Sequence, residues 1–252
     1  MSEQPNTVWL RTTCAQNGLP LADDQLEELG AFASQLLEWN KNINLISRRD
    51  EGNLWSVHIL HSLSVLFKLE IPHGAKVLDL GTGGGLPGIP IKIARPDLSF
   101  TLLDSTQKKT KVVKDIVRVL ELTDVRVEWG RAEDLGKQQG YAHYFDVVFA
   151  RAVASLKDLV RWSFPLLKQS GTNTLPADRK ASFAEKRIVA RPSLVAFKGG
   201  DLESEVGQVR NDPRVGMVSV VELSLLGSNQ LEGSEKKIVV VEAGVGHKEK
   251  AK

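Results

Sequence analysis

Apolar positions recur at helical spacing through the first seventy residues. From Leu26, the side chains of Leu29, Phe32, Ala33, Leu36 and Leu37 fall on one face of a helix. Asp23 or Asp24 stands where a helix cap is expected. A polar break spans residues 40–50, a second helical stretch runs from about 54 to 69, and Pro72 and Gly74 close it. The period changes at Lys76. Short apolar runs at 76–80, 99–103, 125–129 and 145–150 read as strands, with helical runs near 89–94, 107–120 and 156–167 between and after them. Three more strands are expected at about 193–197, 217–225 and 237–242, with one helix near 201–209.

Strands alternating with helices imply crossover units and an α/β fold with a mostly parallel, Rossmann-like sheet of seven strands. Only a short polar link, 227–235, joins the last two strands, so they are expected to pair antiparallel at the sheet edge. The division this suggests is an N-terminal helical subdomain over 1–72, a main domain over 73–243 and a flexible tail over 244–252. The polar, basic stretch 171–191 lacks an apolar period and is also expected to be mobile.

Composition narrows the function classes. Hydrophobic residues make up 42% of the 252, enough for a core without staples. Cys14 is the single cysteine, which excludes an internal disulfide and argues against structural zinc. The first ten residues lack the basic-then-apolar pattern of a signal peptide, and no apolar run is long enough for a bilayer, so no membrane partner and a cytoplasmic location are expected. The net charge of +2 does not announce a nucleic-acid binder. Such a role would rest on local patches. One is Lys108, Lys109, Lys111, Lys114 and Arg118, and another is Lys168, Arg179, Lys180, Lys186, Arg187 and Arg191. Each reads equally as a solvated helix face or a loop.

The chemistry concentrates where strands end. Val77 to Gly88 is a buried strand followed by a loop almost without side-chain bulk, with Asp79, Gly81, Thr82, Gly83, Gly85 and Leu86 as candidate ligand contacts. The dinucleotide spacing G-x-G-x-x-G, begun at Gly81, requires a third glycine where Leu86 stands. Leu86 and Pro87 would crowd a pyrophosphate at the helix start, so a ligand without phosphates, such as S-adenosylmethionine, suits the loop better than a nicotinamide dinucleotide. A purely structural tight turn is the plainer alternative. Asp104 ends the next strand and can accept hydrogen bonds from a ribose diol; it or Ser105 can equally cap the helix after Thr106. Ala132 and Glu133 fall where an adenine would lie, or simply open a short helix. Arg151, at the carboxyl end of a central strand, can hold a carboxylate or phosphate, or form an ion pair with Asp79 or Asp146. His58 and His61 have a spacing that can hold a metal, but no matching ligand set accompanies them, so partly buried histidines and no metal are expected.

Several separated stretches carry a family resemblance: Trp39-Asn40-Lys41 with Asn44-Leu45, His58-Ile59-Leu60, Asp79 to Pro90, Arg95-Pro96, Leu102 to Ser105, Ala132-Glu133, Arg151 to Leu156, and Phe197-Lys198-Gly199. With these the chain resembles the bacterial small-subunit ribosomal RNA methyltransferases of the glucose-inhibited division protein B family. The resemblance implies a class I methyltransferase fold, S-adenosylmethionine as cofactor, and 16S ribosomal RNA or the small subunit as partner, with guanine N7 as the methylated atom. It implies cofactor contacts at Gly81, Leu86, Asp104, Ser105, Thr106, Ala132, Glu133 and Arg151, and a place near the active site for Lys198. Arg151 and Lys198 are thus the candidate catalytic residues, orienting nucleotide and cofactor. N7 carries a lone pair and no proton, so its attack needs no general base. Two departures stand out: His61 occupies a position that is usually acidic in the family, and 171–191 looks like an insertion.

Overall fold

The computed structural model describes residues 5–169, 186–189, 192–227 and 235–244. Two helices, α1 (Pro5–Gln16) and α2 (Asp23–Asn40), lead into a 3-10 turn at Arg48–Asn53, a π-helical turn at Leu54–Leu60 and α3 (His61–Lys68). Next come β1 (Leu69–Glu70), β2 (Lys76–Leu80), α4 (Gly88–Ala94), β3 (Ser99–Asp104), α5 (Gln107–Val119) and β4 (Val125–Trp129). The chain continues through α6 (Ala132–Leu135), β5 (Val147–Arg151), α7 (Leu156–Ser163), β6 (Arg187–Ile188), β7 (Ser193–Gly199), α8 (Glu203–Arg210), β8 (Val215–Glu222) and β9 (Lys236–Ala243).

Seven strands form one sheet in the order β4-β3-β2-β5-β7-β9-β8, while β1 and β6 make a separate parallel pair. The five strands from β4 to β7 are parallel, and β9 runs antiparallel to both β7 and β8. Strand order reverses at β2: β3 and β4 extend from one side of it, β5 and the later strands from the other. Such a reversal opens a crevice at the carboxyl ends of the strands, where open α/β sheets bind ligands.

The central strands are apolar on both faces because helices cover both. Val77, Phe149, Val195, Phe197, Ile238 and Val240 point into one core, shared with α1, α2, α3, α4 and α5. Their neighbours Leu78, Val148, Ala150, Leu194, Ala196 and Val239 point into a second core under α6, α7 and α8. Every residue of α4 is buried, since that helix lies between the sheet and the N-terminal helices. Even Lys92 is buried there, with Nζ donating to the carbonyls of Pro96 (2.7 Å) and Leu98 (2.8 Å).

Two local expectations are corrected. Neither Asp23 nor Asp24 caps α2; the Gln25 side chain turns back to accept from Ala22 N (3.0 Å), while Asp23 pairs with Arg11. The stretch 54–68 is helical as expected, a π-helical turn running directly into α3. α7 stops at Ser163, four residues early, because Pro165 cannot continue it. Most of 171–191, the link at 228–234 and the tail beyond 244 lie outside the described residues. Residues 186–189 tie back instead, with Val189 N donating to Glu70 O. No helix among the described residues is long and apolar enough to cross a membrane.

Candidate active site at the carboxyl ends of the strands

The loop after β2 is pinned from both sides. Asp79 is fully buried, and its Oδ2 accepts from Thr82 Oγ1 (2.6 Å) and Gly88 N (2.9 Å). Gly81 N and Thr82 N donate to Leu103 O on β3. Gly85 N and Leu86 N both donate to Thr82 O, closing the turn into α4, and Leu86 is buried. Gly81 has φ +74°, and a Cβ there would lie 2.6 Å from Val153 Cγ2. Gly83 has φ +58°, yet the nearest atom to a Cβ would be 4.0 Å away, so the loop is open above it. Gly83 N donates to Asp104 Oδ2 (2.9 Å) and Thr106 N to Asp104 Oδ1 (2.7 Å). Asp104 therefore joins the glycine loop to the entry of α5, and each of its oxygens keeps acceptor capacity. Ser105 and Thr106 are exposed beside it.

Arg151 ends β5, next to β2, and is followed by Ala152 in the left-handed region at φ +56°. That conformation is costly for a residue other than glycine and aims the chain sharply out of the sheet. Arg151 Nη2 donates to His58 Nδ1 (2.9 Å), and Nη1 lies 3.5 Å from His58 O. The other ring nitrogen of His58 faces Asp50 Oδ2 at 3.4 Å. Burial, aided by the Arg151 charge, pulls the His58 pKa down to about 4 against the opposing pull of Asp50. The imidazole is thus neutral, its Nδ1 lone pair occupied by the guanidinium. His61 packs edge-on against Phe197 with ring centroids 5.3 Å apart, and burial and Arg151 push its pKa down to about 2. Arg151 itself is lowered by burial to about 10, held up by Asp79 and Asp50, and stays charged at neutral pH. It makes no ion pair with Asp146, which binds Lys168 (2.7 Å).

Lys198 is committed elsewhere. Its Nζ meets Glu205 Oε2 at 2.8 Å and donates to Ala154 O at 2.9 Å, while Leu156 N donates to the same Glu205 oxygen. It therefore braces the segment that follows Arg151. Lys236, at the start of β9 opposite Gly199, is a half-buried residue near Arg151 whose ammonium makes no hydrogen bond or ion pair to a described residue. Nothing in its sequence context marks it. Ala132 and Glu133 open α6, whose first N–H groups have no partner within the helix. Trp129, beside them at the end of β4, is 58% exposed, and its indole donates to Ser105 O (3.1 Å). The residues singled out from the sequence thus gather at one edge of the sheet, except Lys198, whose ammonium faces Ala154 and Glu205. Among the described residues, no group of three or more His, Cys, Asp or Glu side chains is arranged to hold a metal ion.

Burial raises the Asp79 pKa to about 6, against the hydrogen bonds from Thr82 and Gly88 and the charge of Arg151. Between about pH 4 and 6 the folded chain holds a proton that the unfolded chain has released, so this residue's contribution to stability falls as pH rises through that window. Asp79→Asn removes the dependence. The Tm difference between wild type and variant should therefore move in the variant's favour from pH 4 to pH 7, and a constant difference would contradict the assignment.

The residues present fit S-adenosylmethionine. Asp79 Oδ1 is a buried acceptor without a partner, suited to an ammonium group. The open backbone at Gly83 and the remaining acceptor capacity of Asp104 lie on the same edge.

The family model described as rRNA small subunit methyltransferase G matches residues 25–221. The ribosomal RNA small subunit methyltransferase G of Chlorobium luteolum is 36% identical over 233 residues, covering 92% of this chain and 87% of the relative. That of Chlorobium chlorochromatii is 34% identical over 240 residues, covering 94% and 91%. That of Moorella thermoacetica is 39% identical over 154 residues, covering 61% and 64%. In fold, the chain is similar to a SAM dependent methyltransferase from Aquifex aeolicus, with a TM-score of 0.51 at 16% identity over 84% of this chain and 97% of that one. These matches set aside the dinucleotide alternative: the chain belongs to the rRNA small subunit methyltransferase G family, S-adenosylmethionine-dependent methyltransferases of ribosomal RNA.

Proposed function

We propose that this chain methylates N7 of a guanine in 16S ribosomal RNA, on the small subunit or its RNA, in the cytoplasm. One observation carries the choice of atom: the groups around Arg151 are poor general bases. His58 Nδ1 is occupied by the guanidinium, His61 is buried and neutral, and Asp79 has Oδ2 held by Thr82 and Gly88 and Oδ1 given to the cofactor's ammonium group. Such a centre suits a nucleophile that brings its own lone pair and has no proton to lose.

Bound S-adenosylmethionine supplies an electrophilic methyl group on a sulfonium centre. Asp79, Gly81, Thr82, Gly83, Gly85 and Leu86 hold its amino-acid end, Asp104, Ser105 and Thr106 its ribose, and Ala132 and Glu133 its adenine. Arg151 orients nucleotide and cofactor, fixed in turn by His58 and Asp50. Alignment of this kind supplies roughly 7–11 kcal/mol of barrier reduction in well-oriented systems. Lys198 acts as a positioning residue, through its grip on Ala154. Lys198→Met is expected to lower kcat by roughly tenfold at unchanged cofactor affinity, since small misplacements of the reacting groups are costly. Unchanged kcat would remove Lys198 from the account.

The test of the reaction is transfer of labelled methyl groups to small subunits from cells lacking this protein, with the modified nucleoside identified by mass. Label in 7-methylguanosine is the expected result. Label in another nucleoside would overturn the choice of atom.

A further inference from the structure

Beside the glycine loop lies an open cleft of about 520 Å³, lined by Asn40, Lys41, Asn42, Asn44, Ser47 and Arg48. We infer that the loop 40–49 is a docking site for single-stranded RNA flanking the target guanine. This inference rests on the ribosomal RNA reading above and gives that substrate a surface.

The loop is held in shape. The buried side chain of Asn40 accepts from Leu45 N (2.8 Å) and Ile46 N (3.0 Å) through Oδ1, and its Nδ2 donates to Glu51 Oε1 (2.6 Å). Leu45 presses on the glycine loop, since a Cβ on Gly84 would lie 3.1 Å from Leu45 Cβ. Asp50, at the end of the loop, faces the histidine that holds Arg151. A ligand in the cleft is thus joined to the proposed cofactor loop by one packed contact and to Arg151 by one short chain of polar contacts.

The local acids are already engaged: Glu38 by Lys41, Asp50 by His58 and Glu51 by Asn40. The guanidinium groups of Arg48 and Arg49 and the amides of Asn42 and Asn44 are exposed and make no hydrogen bond or ion pair to a described residue. Two forked cations without partners fit phosphate oxygens. Amides that both donate and accept fit the edges of unpaired bases, which is how proteins read RNA outside its helices. A rigid loop carrying uncommitted groups also loses little conformational entropy on binding.

The test uses the full-length protein, small subunits from cells lacking it, and two double variants, Arg48→Ala/Arg49→Ala and Asn42→Ala/Asn44→Ala. These side chains are exposed and without partners, so Tm and the affinity for S-adenosylhomocysteine should not change. KM for subunits is expected to rise about tenfold at constant kcat in the arginine variant. Its log–log dependence on salt should also become shallower by about 1.4, roughly 0.7 for each lost phosphate contact. The asparagine variant is expected to raise KM without changing the salt slope. If wild type methylates subunits and both variants match it in KM and slope, the docking site is overturned while the proposed function stands. If wild type leaves subunits unmethylated, the substrate reading fails and the loop loses its partner with it.

Discussion

Replacing Arg151 by alanine is expected to lower kcat/KM for small subunits by about 10²-fold or more, with the protein still folded. The estimate follows from the cost of misaligning reacting groups or of removing a preorganised charge from a sheltered site. Arg151 is a fork held at two points of His58, so the expectation extends to Arg151→Lys. Lysine keeps the charge but has no planar pair of donors, and activity should remain well below wild type. Loss of the guanidinium also strips Asp79 of its compensating charge, so the Asp79 pKa should climb above about 6 in the alanine variant. Steady-state kinetics with saturating cofactor, set beside the Tm of each variant, separates a catalytic defect from misfolding. Wild-type kcat/KM in both variants would remove Arg151 from the centre of the site.

The second large effect concerns two glycines in one loop. At Gly81 a methyl group meets both a left-handed backbone and Val153 Cγ2 at 2.6 Å. Backbone strain of roughly 1–2 kcal/mol and overpacking of roughly 1–3 kcal/mol add to a loss of about 3 kcal/mol for Gly81→Ala, or roughly 5–10 °C in Tm. Cofactor affinity should fall as well. Gly83 is also left-handed, but a methyl there enters open space. Gly83→Ala should therefore lose only about 1 kcal/mol of stability, yet weaken S-adenosylhomocysteine binding by tenfold or more, because the proposed function seats the cofactor in that space. Calorimetry reads both quantities. Gly83→Ala with wild-type affinity would put the ligand elsewhere, and Gly81→Ala with wild-type Tm would mean that Val153 yields freely.

These two sites show unevenly how far the sequence speaks. Strand β2 matches its apolar run residue for residue and β3 differs only by the added Asp104, because a strand covered on both faces has no alternative burial; the half-exposed edge strand β4 also matches, its Val125 and Val127 alternating with Arg126 and Glu128. The missing third glycine at Leu86 separates a methyltransferase loop from a dinucleotide one, whereas an acid such as Asp104 at the next strand end is common to both. The contact between Arg151 and His58 spans 93 residues and depends on a π-helical turn, so no local pattern encodes it. His58 stands in a family stretch, but its spacing to His61 suggests only a metal ligand or a partly buried histidine, not a partner for Arg151. Lys198 looks like a free cation at a strand end, and only the packing of α8 reveals Glu205 beside it. Lys236 and the left-handed Ala152 carry no sequence signal, since an ordinary lysine and an ordinary alanine occupy positions defined by tertiary structure alone.

The most direct measurement is the crystal structure of this protein with S-adenosylhomocysteine. The account predicts the ribose hydroxyls on Asp104, the adenine against Ala132 and Glu133, the amino-acid end over Gly81 to Gly85 with its ammonium on Asp79 Oδ1, and the sulfur facing the side of the site that holds Arg151. A ligand bound away from the carboxyl ends of β2 and β3, with Asp104 and Gly83 untouched, would contradict it.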